Sequence, residues 1–478
     1  MSGENGSDAL ELGEQELARI TSDILSLCDQ HRSSLRTVPV WTKPDGSALD
    51  LLLQLGIPET PVAWEQTRET LQRIILASQA HLAHPRFLAF VPSPNNAVSS
   101  LAELLASVYN PFAGSWLEGS GAQTVERVVT EWLASELGLP AGTGGILLSG
   151  GSISNLTALV TARQAQFGTG DWRRGTVYFS DQAHSSIVRA MRILGFCADQ
   201  IRVISADGDF RLPVAALHSA MKADKALGGV PFCVVATAGT TNTGAVDSLP
   251  DLSRICQEER VWLHVDGAYG GAAALCPEGR AGLPGLSLAD SVTLDPHKWL
   301  FQPYACSCLL VRDANQLRRA FQTGAEYLEE AEGDWNLWDY GPELTRPFRG
   351  LKLWLSLQVF GADAFRRAIS KGIRLAQLAE SLVREMRGWQ LMTPASLGIM
   401  TFRFVGRVQG DAALNKINEA IAERCLADGF AFVVTTKLAG RTVLRFCTIN
   451  PRTTEADIEE TLSRLDRFGQ EIIARQPT

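Results

Sequence analysis

Long apolar runs are missing from this chain of 478 residues. None reaches the length needed to cross a bilayer, so no membrane span is expected. A basic surplus is missing too. The chain has 44 Lys and Arg against 52 Asp and Glu, a net charge of −8, so no cationic face invites nucleic acid or anionic lipid. The first residues, Met1-Ser-Gly-Glu-Asn-Gly-Ser-Asp, have neither a cationic start nor an apolar core, so no signal peptide is expected. The nine cysteines are scattered, without zinc spacing or a disulfide framework, and no metal site is expected. Only Cys306 and Cys308 are close, and in an extended run they share one face. Buried free thiols in a reducing cytoplasm are the expected state. Internal repeats and low-complexity tracts are also absent. What remains is an ordinary globular composition, 45% hydrophobic and 20% charged, in a chain long enough for more than one domain.

Apolar residues at helical spacing over 9–30 (Leu12, Leu17, Ile20, Ile24, Leu27) and over 67–82 predict two helices. Residues 37–61 between them are rich in proline and turn formers. With no strand pattern, residues 1–85 are expected to be a helical arm packed on something else, such as a second subunit. From residue 146 short, nearly continuous β-branched runs recur, at 146–148, 176–179, 201–204, 232–236, 261–265, 291–294 and 306–311. They predict strands buried on both faces. Helical stretches at 124–137, 155–166, 185–194, 213–226 and 249–259 predict crossovers, and so an α/β fold with an open, mainly parallel sheet. The last gap is too short for a helix, which predicts an antiparallel edge strand over 306–311. Helices over 350–359 and 361–386, then strand-like runs at 399–404, 431–435 and 442–446, predict a small α+β domain over 346–478. It follows a large domain over 86–345. Thr454 with Asp457 three residues on reads as a helix cap.

Four features fall at strand ends, where ligands bind in such sheets. Ser149-Gly-Gly-Ser-Ile-Ser-Asn opens a helix. Its glycines, Gly151 included, let the backbone approach closely, and a helix start suits a phosphate. Ser152 and Ser154 add hydroxyls. The stretch lacks a P-loop lysine and the GxGxxG spacing, and a turn that only caps a helix is the plainer reading. Asp181-Gln-Ala-His184-Ser-Ser places an imidazole where it could stack on a flat ring or shuttle a proton. Otherwise Asp181 or Ser185 caps the next helix and His184 is incidental. His264-Val-Asp266-Gly-Ala-Tyr-Gly-Gly ends a strand on a carboxylate, which is costly without a positive partner such as a protonated pyridine nitrogen. Bonding to loop amides is the alternative. Finally, Lys298 sits between His297 and Trp299 in Asp290-Ser-Val-Thr-Leu-Asp-Pro-His-Lys298-Trp. Desolvation there favours a neutral amine suited to Schiff-base chemistry, or the side chain snorkels. Together, in this order, the four features specify pyridoxal phosphate.

With Ala238-Gly-Thr-Thr added, the chain resembles, from about His84 to its C-terminus, the group II pyridoxal phosphate-dependent amino-acid decarboxylases of the aromatic-L-amino-acid type. The resemblance implies fold type I (aspartate aminotransferase-like), a homodimer with active sites at the subunit interface, and a swapped N-terminal arm. By position it makes Lys298 the Schiff-base lysine and Asp266 the partner of the pyridine nitrogen. His184 and Ala268 take the two ring faces. Gly151, Ser152, Ile153 (through its backbone), Ser154, Thr241, Asp295 and His297 are further cofactor contacts. Tyr327, in Glu326-Tyr327-Leu328, aligns with a mobile-loop tyrosine that protonates the carbon, and its acidic, glycine-containing surroundings suit a lid. The loop over 341–346, with Thr345, matches one that reaches the neighbouring subunit's site.

The implied reaction is decarboxylation of an L-amino acid, aromatic by preference, with proton return by Tyr327 or His184. Retention of both favours an amine product over the aldehyde of the family's oxidative branch. Intact Lys298, Asp266 and His184 argue against a non-catalytic dimeric scaffold. There are departures. Asp295 stands where relatives usually carry asparagine, and a carboxylate there would repel the phosphate unless turned away or protonated. Leu82, Phe90 and Val91 stand where the animal enzymes carry tryptophan, tyrosine and phenylalanine, and Gly114 stands for a phenylalanine. With Phe112 and Thr345 they form the expected substrate pocket. It is expected to be wider, for an indole amino acid or a non-aromatic one.

Overall fold

The computed structural model describes residues 10–322 and 335–475. Seven of its strands form one sheet: β1 (Gly144–Leu148), β2 (Gly175–Ser180), β3 (Ile201–Ile204), β4 (Val230–Thr237), β5 (Trp262–Asp266), β6 (Ser291–Leu294) and β7 (Ser307–Val311). Their spatial order is β1-β7-β6-β5-β4-β2-β3. Strands β2 to β6 pair in parallel, through crossover helices such as Ser186–Ile193, Val214–Ala226 and Leu249–Glu259. All residues of β2, β6 and β7 are buried, as strands covered on both faces must be.

One expectation needs correcting. β7 is antiparallel, but it is not an edge, because β1 pairs along its outer side. Only the short helix Pro296–Trp299 follows β6, so the chain returns directly beside it and leaves an open ladder that β1 fills. The edges are therefore β1 and β3.

A second, antiparallel sheet is built from β8 (Trp389–Ser396), β9 (Ile399–Phe404), β10 (Val434–Leu438) and β11 (Arg441–Cys447), in the order β10-β11-β9-β8. Phe402, Phe404 and Phe446 from this sheet meet Ile458, Leu462 and Leu465 of the helix Glu455–Ala474 in one core. β8 carries no strand signal in the sequence. It contains Pro394 and is only partly buried, which an edge strand tolerates. Two further helices were not singled out from sequence, Gly46–Leu55 and Ala97–Tyr109. Each starts on a side-chain cap, Asp45 accepting from the Ser47 amide at 3.0 Å and Asn96 from that of Ser99 at 2.8 Å.

The last helix begins on the expected cap. The Asp457 amide donates to Thr454 Oγ1 at 3.2 Å, and the Thr454 amide donates to the Asp457 carboxylate at 2.9 Å. Asp457 also meets Arg36 at 3.1 Å and Arg86 at 3.3 Å, which ties residues before the large sheet to the small sheet's helix. Thr454→Ala is expected to lower stability by about 1 kcal/mol, read as a shift of the urea midpoint at constant slope. An unmoved midpoint would leave the cap without energetic weight.

Candidate active site

The turns that follow β1, β2, β4, β5 and β6 all open on the same side of the large sheet, around a cavity of about 230 Å³. Gly151, Ser152, His184, Thr241, Asp266, Ala268, Asp295, His297 and Lys298 line it together, so residues more than a hundred positions apart share one cleft. Asn155, Ser186, Thr237, Gly239 and Tyr269 line it too, and none of these was singled out from sequence. Tyr269 stacks on Trp299 with ring centroids 5.2 Å apart, and its hydroxyl accepts from the Gly398 amide at 2.7 Å. The cleft is thereby braced against the small sheet.

The turn after β1 opens the helix Gly151–Phe167. The Gly151 and Ser152 amides donate to no described residue, as expected for the first positions of a helix without a side-chain cap. Two free N–H groups and a helix dipole suit a phosphate dianion. A Cβ at Gly151 would lie 2.9 Å from Asp295 Oδ2 and 3.2 Å from the Ala268 methyl, so only glycine lets these groups close in. Ile153 and Ser154 depart from their expected roles. The Ile153 amide is donated to the Gly150 carbonyl at 2.9 Å, and its side chain packs with Ile146 and Leu148. Ser154 is fully buried, its hydroxyl 2.7 Å from Ser307 Oγ. Both face the sheet because the helix, begun at Gly151, turns its third and fourth residues inward.

Lys298 projects from the short helix after β6 with its side chain 24% exposed, and Nζ lies 2.8 Å from Asp295 Oδ2. Burial disfavours the ammonium form, as read from the sequence. The charge and hydrogen bond of Asp295 outweigh it, with Asp266 and Tyr304 adding to them, and the net pKa moves up rather than down. In the cofactor-free protein Lys298 is therefore an ammonium, which corrects the expected neutral amine. Asp295 is not turned away from the phosphate turn. Its Oδ1 lies beside Gly151 without a hydrogen bond, while Oδ2 answers Lys298. His297 accepts from the Cys306 amide on Nδ1 at 3.3 Å, so Nε2, 3.6 Å from Asp295, carries its hydrogen. Burial pushes the His297 pKa down.

Asp266 ends β5 with 5% exposure and has no ion-pair partner among the described residues. Its oxygens accept from the Ala268 amide at 3.1 Å and from Asn155 Nδ2 at 2.9 Å. Asn155 also donates to Ser186 Oγ at 3.1 Å, and Ser186 Oγ lies 2.9 Å from His184 Nδ1. His184 is exposed at the rim of the cleft. Fully buried His264, two residues before Asp266, sits 3.0 Å from Asn155 Oδ1. Its only sequence signal was its place in the same strand.

The expected substrate residues do not join this cleft within one chain. Leu82 lines a separate crevice with His31, His81 and Tyr304. Phe90 is exposed, at a positive φ of 48°, with its carbonyl accepting from buried Arg445 at 2.5 Å. Val91 packs on the core under the large sheet. Gly114 leaves no void: a Cβ there would lie 2.6 Å from the Leu344 carbonyl and 2.8 Å from the Phe112 ring. The wider pocket expected from that glycine is thus filled by Phe112 and Leu344. Thr345 is exposed on the neighbouring loop. Tyr327 lies outside the described residues.

The donor set fits pyridoxal 5′-phosphate: two free amides at a helix start, a carboxylate without a cationic partner, an imidazole, a small methyl floor and one lysine. The comparisons agree. A family model, the pyridoxal-dependent decarboxylase conserved domain, matches residues 47–405. An aromatic-L-amino-acid decarboxylase of Bacillus atrophaeus is 42% identical over 476 residues, covering 98% of this chain and 99% of that protein. Tryptophan decarboxylase 1 of Oryza sativa subsp. japonica is 33% identical over 440 residues, 86% of each. A crystal structure of Oryza sativa TDC with PLP and tryptamine superposes with a TM-score of 0.92 at 30% identity, over 97% of this chain and 99% of that one.

Proposed function

The chain belongs to the pyridoxal-dependent decarboxylase family, and from that membership we infer that it decarboxylates an aromatic L-amino acid to the amine and carbon dioxide. The fold is that of fold type I pyridoxal phosphate enzymes. The observation that carries the reading is the convergence of Lys298, Asp266, His184 and the free Gly151 and Ser152 amides on one cleft. Bound pyridoxal phosphate supplies a conjugated ring that accepts the electron pair left by carbon dioxide. Lys298 provides the amine that holds the cofactor and yields it to the substrate. Asp266, oriented by Asn155 and the Ala268 amide, keeps a hydrogen on the ring nitrogen. His184 and the Ala268 methyl cover the two faces. The Gly151 and Ser152 amides bind the phosphate, with Thr241 at the rim. Tyr327 or His184 returns a proton to the substrate carbon.

An indole substrate is the preferred assignment, supported by the tryptophan decarboxylase relative and by the TDC structure with tryptamine. A second copy of the chain completes the pocket. In support, 230 Å³ is small for cofactor plus substrate, and Phe112, Gly114 and Thr345 lie away from the cleft of their own chain. The helix Glu14–Ser34 buries none of its residues, and Ala97–Tyr109 exposes Leu101, Leu104, Leu105, Val108 and Tyr109. Apolar faces of that extent ask for a cover. The division proposed is an arm over 1–85, a cofactor domain over 86–345 and a small domain over 346–478, the last two each with its own sheet. No helix among the described residues is long and apolar enough to cross a membrane. Nine free thiols favour a reducing cytoplasm.

The test is a panel of amino acids, with amine, carbon dioxide, oxygen and peroxide measured together. An aromatic substrate is expected to give amine and carbon dioxide in equal amounts, without oxygen uptake. Aldehyde with peroxide would reassign the enzyme to the oxidative branch. No amine from any amino acid would refute decarboxylation.

A further inference from the structure

Trp262, His264, Ser291, Asn155, Ser186 and His184 form one hydrogen-bonded chain that ends at the rim of the cleft, and its hydrogens can be placed one by one. The Trp262 indole can only donate, and does so to Ser291 Oγ at 2.8 Å. Ser291 Oγ in turn lies 2.8 Å from His264 Nδ1. His264 is fully buried, and burial lowers its pKa to about 4, so the ring is neutral. At the far end of Asn155 stands the Asp266 carboxylate, which can only accept. The Asn155 atom facing it is therefore the NH₂ group, 2.9 Å away. Asn155 Oδ1 then faces His264 Nε2 at 3.0 Å, so Nε2 carries the hydrogen and Nδ1 takes that of Ser291.

The second Asn155 hydrogen goes to Ser186 Oγ at 3.1 Å, which leaves the Ser186 hydroxyl free to donate to His184 Nδ1 at 2.9 Å. The Ser186 backbone amide donates to the same nitrogen at 3.2 Å, and an amide cannot reverse its role. Two donors meet at Nδ1.

We propose that His184 is locked as the neutral tautomer with its hydrogen on Nε2, and that Asn155 is the positioning residue joining this lock to Asp266. The proposal deepens the pyridoxal phosphate reading and rests on it for its catalytic meaning. An imidazolium would set an Nδ1–H against the Ser186 amide. His184 therefore offers one hydrogen bond from Nε2. Asn155 also gives a physical reason for the position of a buried polar side chain in the helix Gly151–Phe167: its three bonds serve Asp266, Ser186 and His264 together.

The deciding measurement is nitrogen-15 NMR of histidine-labelled holoenzyme, with long-range proton correlations assigned through His184→Gln and His264→Gln. Both rings are expected in the neutral form with hydrogen on Nε2. An Nδ1–H or an imidazolium pattern for His184 would overturn the lock. Kinetics give a second arm. Ser186→Ala is expected to lower kcat roughly tenfold, the loss of about one hydrogen bond, with KM unchanged and with recovery in Ser186→Thr. A change in KM alone, or equal loss in both variants, would overturn the role of Ser186. Asn155→Ala is expected to weaken pyridoxal phosphate binding roughly tenfold in an absorbance titration. Unchanged affinity and kcat would remove Asn155 from the proposal. Protein that takes up no cofactor would sink the cofactor reading instead. The histidine spectra of that protein would still decide the tautomer.

Discussion

Lys298→Ala is expected to lose the Schiff-base absorbance band completely and to lower the decarboxylation rate by on the order of a thousandfold or more. The lysine is the only amine among the described residues that line the cleft, and its removal leaves the carbonyl without an anchor. The phosphate turn is untouched, so pyridoxal phosphate is expected to bind still, without the band. A retained band that borohydride abolishes, leaving the cofactor covalently attached, would place the reactive lysine elsewhere.

Asp295 sets the companion prediction. It holds Lys298 as an ammonium, and an ammonium is not a nucleophile. Replacing the carboxylate in Asp295→Asn leaves burial to act, with only Asp266 and Tyr304 opposing it. The amine pKa then falls, and each unit of fall raises the neutral fraction about tenfold at a pH below it. Cofactor capture by the stripped protein is therefore expected to be faster in Asp295→Asn, with its pH profile displaced to lower pH. The measurement is the rate at which the imine band grows after cofactor is added. An unmoved profile would mean that Asp295 does not control the lysine. The resemblance leads one to expect an asparagine here, and the structure gives this carboxylate a partner at 2.8 Å.

The parts of the site legible in the sequence share one property. Gly151, His184, Asp266 and Lys298 each follow an apolar run within a few residues, so a strand–turn reading already places them on one side of a sheet. Asn155, Ser186 and His264 were not legible, because their meaning lies in bonds between elements far apart in the chain. His264 and Asn155 are 109 residues apart, and nothing local announces the contact. Ile153 and Ser154 were misplaced for a related reason: a motif gives the order of residues, and the helix phase after Gly151 decides which face the cleft. Sheet order was missed at β7 because a short connection fixes direction without fixing which strand lies beyond it. The substrate pocket was least legible, since the residues expected to form it are not gathered in one chain.

Arg346→Met is expected to cost about 3–5 kcal/mol of stability, the usual penalty for stranding a buried charge. Arg346 is 0% and Glu126 1% exposed in their side chains, and they meet at 2.6 Å. The pair closes the outer edge of β1. The Leu147 amide donates to Glu126 Oε1 at 2.7 Å, and the Leu147 carbonyl accepts from Arg346 Nη2 at 2.8 Å. An arginine and a glutamate thus do at the sheet edge what a further strand would do. Burial drives the Glu126 pKa up and the Arg346 pKa down, and each partner only partly offsets the other's shift. Without Arg346, nothing but the Leu147 amide and the more distant Arg349 opposes protonation of Glu126. The sign of the pH dependence follows. A buried carboxylate with a raised pKa destabilises the fold above that pKa, and the cost is relieved as pH falls through it. The deficit of Arg346→Met relative to the parent protein should therefore shrink toward acid. Adding Glu126→Gln keeps an acceptor for the Leu147 amide and removes the stranded charge, so the double variant should be more stable than Arg346→Met alone at neutral pH. Urea unfolding of both variants at two pH values tests this. A single-variant cost below about 1 kcal/mol, or a double variant less stable than the single, would contradict it. Because the same arginine anchors the loop that carries Leu344 and Thr345, activity should fall with stability in Arg346→Met and recover in part in the double variant.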